Sequence, residues 1–469
     1  MLLKNKIEKI SGFLKSSNIL TGEEECYCYA EDSSNLIKPQ KKPNIVVFAE
    51  TIEDVQNIMK FAYQHEIPVI SRGAGTNMVG SCVCNHDGIV LCFSKMNKIL
   101  EIDSVNMTAK VQPGVVLGDL KTAVENKGMF FPPDPSNYAV STIGGAIAQS
   151  SGGALGFKYG TTKDYIVSLK VVTSDGRLLT LGADTAKDSA GYHLAQLIVG
   201  SEGTLAVVVE ATIKLIPRPE ALCAVSAYYD SISTGINAVN TIIENNIFPA
   251  AIDFMDQNAI KASDDYMKCG LDTDKQCMLL ISLDGMQCSM ENLTNSLVNV
   301  LKSTGASKIN ISSNSEEYNH IWNARKVSFA ATARIAPDVV TDDIIVPRKN
   351  LSAMAEKCKE IAGKYCLAMC LVGHAGDGNL HPQIALNLNN DEEFKNCMNA
   401  RSEIYSEAIR LGGTIAAEHG IGLEKKPYLN MTVDNDVIEY MKMIKKVFDP
   451  KNILNPGKIF EENQTAGNL

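Results

Sequence analysis

Three histidines and the carboxylate of Glu418 fall in two glycine-dense stretches, and they carry the strongest local chemistry of the chain. The first stretch is Gly373-His374-Ala375-Gly376-Asp377-Gly378-Asn379-Leu380-His381. On one straight strand His374 and His381 would face opposite sides, because successive side chains alternate. Asp377-Gly378, however, is a strong two-residue hairpin signal. A hairpin closed there pairs 376 with 379, 375 with 380 and 374 with 381, which puts both imidazoles on one face about 5 Å apart. The second stretch, Ala417-Glu418-His419-Gly420-Ile421-Gly422, adds a carboxylate and a third imidazole, followed by glycines that permit irregular backbone. Two imidazoles and a carboxylate with open positions suit a catalytic Zn2+, Fe2+ or Mn2+. Separate loop histidines, each satisfied by its own surroundings, are the plainer alternative.

Arg325, in Ile321-Trp322-Asn323-Ala324-Arg325, is the candidate clamp for a substrate carboxylate, since guanidinium binds carboxylates bidentately. A surface arginine on a helix is its rival. Trp322, the single tryptophan, reads as core. Two further segments are rich in glycine. Ser71-Arg72-Gly73-Ala74-Gly75-Thr76-Asn77-Met78-Val79-Gly80 follows a strand pattern, and Ser141 to Gly160 holds six glycines in twenty residues. Glycine lets backbone approach a ligand and turn successive N–H groups toward phosphate oxygens. Neither loop is a Rossmann fingerprint: the third glycine would fall at Met78, where no helical pattern begins. Tight turns and close strand packing are the alternative for either loop taken alone.

The elements that must position these groups alternate in type. Ile45–Ala49 reads as a buried strand, and Thr51–His65 as a helix with a capping box (Thr51, Asp54) and an apolar face of Val55, Ile58, Met59 and Ala62. Ile67–Ile70 and Ile89–Phe93 are short strands, and Leu117–Lys127 is a helix stopped by Gly128. Ile166–Leu181 reads as a hairpin around Asp175-Gly176. Leu205–Ile216 is a strand that ends at Pro217-Arg218-Pro219, the clearest domain boundary. Longer helices then alternate with strands such as Met278–Leu283 and Leu367–Val372. The last fifty or so residues are helical, then loop.

Length and composition bound the function classes. At roughly 150 residues per domain, 469 residues make two or three compact units. Lys plus Arg is 44 against 54 for Asp plus Glu, a net charge of −10, which disfavours nucleic-acid binding. The N-terminus is broken by Lys4, Lys6, Glu8 and Lys9, so it has no signal-peptide core. The charge-free run Pro135 to Phe157 is too rich in Gly, Ser, Asn and Gln for hydrocarbon, so no transmembrane segment is expected. The thirteen cysteines are scattered, and several lie in apolar stretches, as buried thiols of a reduced compartment do. A cytoplasmic protein is expected. Cys26-x-Cys28 and Cys82-x-Cys84 lack zinc-ribbon spacing, and no ferredoxin cysteine run occurs.

The ordered set PVISRGAGTNMVG, FPPDPS, STIGGAIAQSSGG…KYG, VGSEGTLAVV, GHAGDGNLH and EHGIG resembles the vanillyl-alcohol-oxidase type FAD flavoproteins. Within them it resembles the 2-hydroxyacid dehydrogenase branch that includes glycolate oxidase D-subunits, D-lactate dehydrogenases and D-2-hydroxyglutarate dehydrogenases. The resemblance spans about residues 40 to 460. It implies an α+β fold: a two-lobed PCMH-type FAD-binding domain, a second α/β cap domain for substrate and a C-terminal helical segment. The corresponding boundaries are 1–38 for a helical lead-in, 39–219 for the FAD-binding domain, 220–415 for the cap and 416–469 for a segment returning to the flavin site.

The same resemblance assigns cofactor contacts to Arg72, Gly73, Ala74, Gly75, Thr76 and Asn77, to Pro133 and Asp134, and to Ser141, Thr142, Gly144 and Gly145. It adds Ser151, Gly153, Tyr159, Glu202 and Asn455, the last close to the flavin ring. Some relatives carry a flavin-bonding histidine in the first loop; here the nearest position is Thr76, which implies non-covalent FAD. His374, His381 and Glu418 become ligands of one divalent metal, Zn2+ or Fe2+ with Mn2+ as a third option, and His419 becomes the general base. The implied reaction is oxidation of a D-2-hydroxy acid, D-lactate ahead of glycolate and D-2-hydroxyglutarate, by hydride transfer to flavin N5. Electrons would pass to electron-transferring flavoprotein or another acceptor protein. Three rivals stay open: a metal-dependent hydrolase, a non-redox transferase on the same FAD fold, and a non-catalytic flavin- or metal-binding subunit.

Overall fold

The computed structural model describes residues 10, 12 and 14–461. They divide into two compact units. The first comprises the chain up to Ser151, Thr161–Arg218 and everything from Glu418 onward; the second comprises Gly152–Gly160 and Pro219–Ala417.

The first unit holds two main sheets. In one, strands β1 (Ile19–Leu20), β2 (Ile45–Phe48), β3 (Val69–Arg72) and β4 (Ile89–Cys92) lie in the order β1-β2-β4-β3, with β2, β4 and β3 parallel. The helix Ile52–His65 joins β2 to β3. Its capping box forms as the sequence requires: the Thr51 hydroxyl accepts from Asp54 N–H, and the Asp54 carboxylate accepts from Thr51 N–H. Its buried Val55, Ile58, Met59 and Ala62 pack with Ile45, Val47, Val69 and Leu91. Strand β3 starts two residues later than expected because Pro68 has no N–H to give to a ladder.

The second sheet of this unit is antiparallel, in the order β5-β6-β10-β8-β9, from β5 (Ile99–Asp103), β6 (Thr108–Val111), β8 (Ile166–Val172), β9 (Leu178–Leu181) and β10 (Val207–Lys214). A two-stranded ribbon pairs β7 (Met129–Phe130) with β11 (Ile216–Pro217). The hairpin β8–β9 turns at Asp175-Gly176, where Gly176 takes φ +82°. Leu117, Leu120 and Val124 of the helix Leu117–Glu125 share the core of this sheet with Ile143 and Ile147. The C-terminal helix Asn435–Phe448 lays Ile444 and Phe448 against the same core. Beyond it, Leu454 bridges to Val69, so the segment around it lies alongside β3.

Two sequence expectations change here. The lead-in is less helical than expected: its described part has one five-residue helix, Glu23–Tyr27, and Asp32-Ser33-Ser34 turns the chain instead, the Asp32 carboxylate accepting from Ser34 N–H. Residues 1–9, 11 and 13 of the lead-in lie outside the described residues. The glycine-rich stretch from 141 to 160 is also not one loop. It begins with a helix, Ile143–Gln149, despite two glycines in its first turn, because Thr142 caps it and Ile143 and Ile147 are buried.

The second unit is built on one antiparallel sheet. Its strands are β12 (Ala221–Tyr229), β13 (Ala251–Asp256), β14 (Cys277–Gly285), β15 (Lys308–Ile311), β16 (Asp338–Thr341), β17 (Ile344–Ile345), β18 (Ala368–Gly373) and β19 (Asn379–Leu386). The order is β15-β12-β14-β13-β18-β19-β16, with β17 also on β19. The helix Leu351–Lys364 packs against the helices Ile232–Glu244 and Asp391–Arg410. A core of Tyr228, Met255, Ile260, Met278, Leu280 and Val372 includes Trp322, as its sequence context implied, and Ala154 and Leu155 pack on it. No helix among the described residues is long and apolar enough to cross a membrane.

Candidate functional site

In the second unit, β18 and β19 form the hairpin that carries His374 and His381. Its register differs from the expected one: Val372 pairs with His381 and Leu371 with Pro382. Asp377-Gly378 does not form a two-residue turn. Instead His374–Gly378 make a five-residue loop in which the His374 carbonyl accepts from the N–H groups of Asp377, Gly378 and Asn379. The Asp377 carboxylate accepts from Asn379 N–H at 3.2 Å, and the Gly378 carbonyl accepts from Val346 N–H, so side-chain and cross-strand bonds override the short turn. A side chain at Gly376 would collide with Phe157. The two imidazoles still meet. Their centroids are 5.2 Å apart and nearly perpendicular, with His374 and His381 both buried.

Two carboxylates that sequence reasoning missed organise this pair. Asp253, at the centre of β13 and 1% exposed, places Oδ1 2.8 Å from His374 Nδ1. Its Oδ2 lies 2.8 Å from Arg325 Nε, an ion pair without the alignment of a hydrogen bond. Burial raises the Asp253 pKa, but the charges of His374 and Arg325 outweigh it and hold the carboxyl below its ordinary range. An ionised Asp253 favours the His374 tautomer with hydrogen on Nδ1, which turns the Nε2 lone pair outward as a ligand. Arg325 also donates from Nη1 to Ser328 Oγ at 3.2 Å, so the expected substrate clamp is first of all Asp253's counter-ion.

Asp343 is the second. Its Oδ1 accepts from Asn379 Nδ2 and its Oδ2 from Ala417 N–H, both at 2.8 Å, and His381 Nδ1 stands 3.8 Å from Oδ1. Its neighbour Asp342 is locked by Arg401 through Nε at 2.9 Å and Nη2 at 2.8 Å, and it also accepts from Tyr405. The signal for both was available: a buried charge must be paired, and Ala251-Ile-Asp-Phe-Met and Asp342-Asp343-Ile-Ile-Val set carboxylates inside apolar strand text. Imidazoles backed by carboxylates are a donor set that fits a borderline divalent cation.

In the first unit the two glycine loops meet. A Cβ on Gly73 would strike Thr142 Oγ1, and the Thr142 hydroxyl caps the helix Ile143–Gln149 by accepting from Gly145 N–H at 3.3 Å. Gly144 packs on Pro113, where a Cβ would sit 2.7 Å from the proline ring. Gly75 takes φ +73° and Ala74 stands between the two glycines. Asn77 Oδ1 accepts from Val79 and Ser81 N–H, and the Thr76 carbonyl accepts from Asn137 Nδ2 at 3.4 Å. Buried beside these loops, Ser71 Oγ, Ser141 Oγ and Gln149 Oε1 have no hydrogen-bond partner among the described residues. Close backbone plus unmatched buried polar atoms is the provision a polar, phosphate-bearing cofactor requires, so these residues fit FAD.

The remaining assigned residues divide. Arg72 donates from Nη1 to the Glu31 carbonyl at 2.6 Å and lies over the Tyr29 ring. Pro133 is buried and Asp134 half-buried after β7, and the Ser151 carbonyl accepts from Thr162. Gly153 and Tyr159 belong to the second unit, where Tyr159 and Lys158 bond the Asp284 carboxylate. Asn455, at φ +43°, donates from Nδ2 to the carbonyls of Ser81 and Glu202 at 2.9 and 2.7 Å. The Glu202 carboxylate accepts from Ser81 Oγ and from Ile421 and Gly422 N–H, so it faces the chain. Glu418 and His419 open the last segment of the first unit, half-buried, with Nε2 of His419 4.0 Å from Glu418 Oε1. Asn77 Nδ2 donates to the His419 carbonyl at 3.3 Å. In sequence they directly follow Ala417, whose amide is held by Asp343.

Known families and proteins match most of the chain. Residues 43–182 match the FAD binding domain family, and residues 218–459 match the family of FAD linked oxidases, C-terminal domain. The chain is 42% identical to the glycolate oxidase subunit GlcD of Bacillus subtilis over 424 residues, covering 90% of each chain. It is 32% identical to a D-lactate dehydrogenase of Anaerostipes hadrus over 451 residues, covering 94% of each. Its fold is also that of p-cresol methylhydroxylase, with a TM-score of 0.82 over 98% of this chain and 97% of the other, at 16% identity. The α+β, PCMH-type architecture expected from the sequence is therefore present.

Proposed function

The chain belongs to the FAD-linked oxidases, in the family of glycolate oxidase subunits and D-lactate dehydrogenases, and from that premise we propose that it oxidises a D-2-hydroxy acid, D-lactate by preference, to the 2-oxo acid. The observation that carries this reading is the buried His374–His381 pair at 5.2 Å, with Asp253 orienting His374 at 2.8 Å. When bound, FAD supplies a hydride acceptor and a divalent cation, Zn2+ or Fe2+, supplies Lewis acidity at the 2-hydroxyl. His374 and His381 would hold the cation, with Glu418 as the proposed third ligand. Arg325 orients the substrate carboxylate through whatever donors Asp253 does not engage. His419 takes the hydroxyl proton as C2–H leaves with its electron pair, so the substrate loses one proton and one hydride. The glycine loops at 73–77 and 141–145 hold the cofactor through backbone N–H groups, without a covalent bond, since Thr76 has no ring nitrogen to offer.

The two electrons then pass to a second protein, with electron-transferring flavoprotein as the first choice. Free thiols at all thirteen cysteines support a reduced, cytoplasmic setting. The test is anaerobic flavin bleaching across D- and L-2-hydroxy acids, with D-lactate, glycolate and D-2-hydroxyglutarate among them, before and after chelation. D-Lactate should bleach the flavin fastest, and a chelator should abolish bleaching. A colourless protein that hydrolyses an ester with the same metal dependence would sink the proposal.

A further inference from the structure

Glu202 stands out among the buried charges of the first unit because its backbone is strained and its carboxylate faces only the chain. It is 4% exposed, and its φ of +51° lies in the left-handed region, which a non-glycine residue occupies only when its surroundings hold it there. The strain is held from both sides. Glu202 N–H donates to the Ala148 carbonyl at 2.8 Å, and its own carbonyl accepts from Asn455 Nδ2 at 2.7 Å. What that conformation achieves is the aim of the side chain. Oε1 accepts from Ile421 N–H at 2.7 Å, and Oε2 accepts from Gly422 N–H at 2.8 Å and from the Ser81 hydroxyl.

The loop it grips is pressed close. Gly420 and Gly422 take φ +82° and +54°; a Cβ on Gly420 would come within 2.8 Å of Glu202 Oε1, and one on Gly422 would strike the Val79 carbonyl. That carbonyl accepts in turn from Leu423 and Glu424 N–H. The residue immediately before Gly420 is His419, whose own carbonyl is bonded by Asn77. Two consecutive amides in one buried carboxylate, one residue beyond that histidine's neighbour, fix the direction in which the chain leaves it.

We propose that Glu202 is a positioning residue: its carboxylate latches the Gly420–Gly422 loop and thereby sets the aim of His419. This rests on the reading of His419 as proton acceptor, but the latch itself can be measured without turnover. Glu202→Gln keeps the shape and replaces one acceptor oxygen with a donor that opposes an N–H, so one of the three bonds must break. Hydrogen exchange on the FAD-loaded protein should then accelerate in the peptide spanning 420–424 by roughly tenfold or more, the worth of one charge-assisted hydrogen bond. kcat should fall by roughly tenfold to a hundredfold, as for a displaced catalytic group, with flavin content unchanged. Ser81→Ala removes the hydroxyl donor and leaves both amides in place, so it should give a smaller change in each measurement.

Loss of flavin with unchanged exchange at 420–424 would make Glu202 a cofactor residue and overturn the latch. Faster exchange with unaltered turnover on a bleaching-active protein would overturn the positioning role. If no hydroxy acid bleaches the wild-type flavin, the proposed reaction fails, while faster exchange in the variant would still establish the latch.

Discussion

The glycine loops of the first unit and the histidine hairpin of the second handle buried polarity in different ways. The first brings backbone together: Gly73 against Thr142, Gly144 against Pro113 and Gly422 against Val79, beside buried hydroxyl and amide oxygens that have no hydrogen-bond partner among the described residues. The second sets buried carboxylates around the histidine pair and gives them side-chain partners: Asp253 with His374 and Arg325, Asp343 with Asn379, Asp342 with Arg401. Backbone donors keep their character at every pH and suit the permanent charge of a phosphate. Paired titratable groups can be tuned, and they suit a site where protons and a cation are exchanged. Groups carried on backbone and groups carried on paired side chains are thus positioned by different means in one chain.

The largest effect is expected at His419, which shares the first unit with the glycine loops but is proposed as the proton acceptor. His419→Asn should lower kcat by about 10²–10⁴-fold, the usual worth of a general base, while flavin content stays at the wild-type level. Flavin-to-protein absorbance and steady-state kinetics read the two halves of that statement. Retained turnover would remove His419 from the chemistry.

A smaller effect is expected one step away from the proposed ligands. Asp253→Asn keeps the shape of the contact to His374 and discards its charge. Divalent-metal affinity, followed by competition with a chelator, should weaken about 10–100-fold, as for other orienting carboxylates. The counterpart in the other unit is Gly73→Ala, which forces a methyl against the Thr142 hydroxyl. Flavin binding should weaken by about 1–3 kcal/mol, the range for overpacking, with metal affinity unchanged. If each variant damaged both ligands equally, the division between backbone and side-chain positioning would fail.

What could be read in the sequence follows the same division. Patterns with one physical solution were legible: the Thr51 capping box, the Asp175-Gly176 hairpin, Trp322 in the core, and the ordered motifs that imply the fold. The hairpin register at His374 was not, because short-range turn chemistry was outweighed by bonds from Val346 and from the Asp377 side chain. The helix at Ile143–Gln149 was hidden by its glycines, whose poor propensity is offset by the Thr142 cap and burial. Asp253 and Asp343 were missed because each is paired with a group far away in the chain, 121 residues distant for His374. Local text announces the charge; only the fold supplies its partner.

The last prediction compares buried carboxyls that bind amides alone. Asp256 caps the helix Gln257–Met267, accepting from Ala259 N–H at 2.9 Å and from Leu371 N–H at 3.1 Å. Burial pushes its pKa from 3.8 up to about 6, against the pull of those two amides. Asp32 in the first unit, held by Ser34 and Cys82 N–H, is likewise raised to about 6 by burial. A carboxyl whose folded pKa exceeds its unfolded one binds more protons when folded, so its contribution to stability is full below pH 3.8 and is lost as pH rises to about 6. Asp256→Asn keeps an acceptor for the cap and removes the titration. The Tm of the wild type relative to the variant should therefore fall by a few degrees between pH 4 and pH 6 and stay level above it. Asp32→Asn should show the same sign. A difference that instead grew with pH would mean that the Asp256 carboxylate is stabilised in its ionised form, as Asp253 is, and the contrast between amide-held and ion-paired carboxyls would have to be given up.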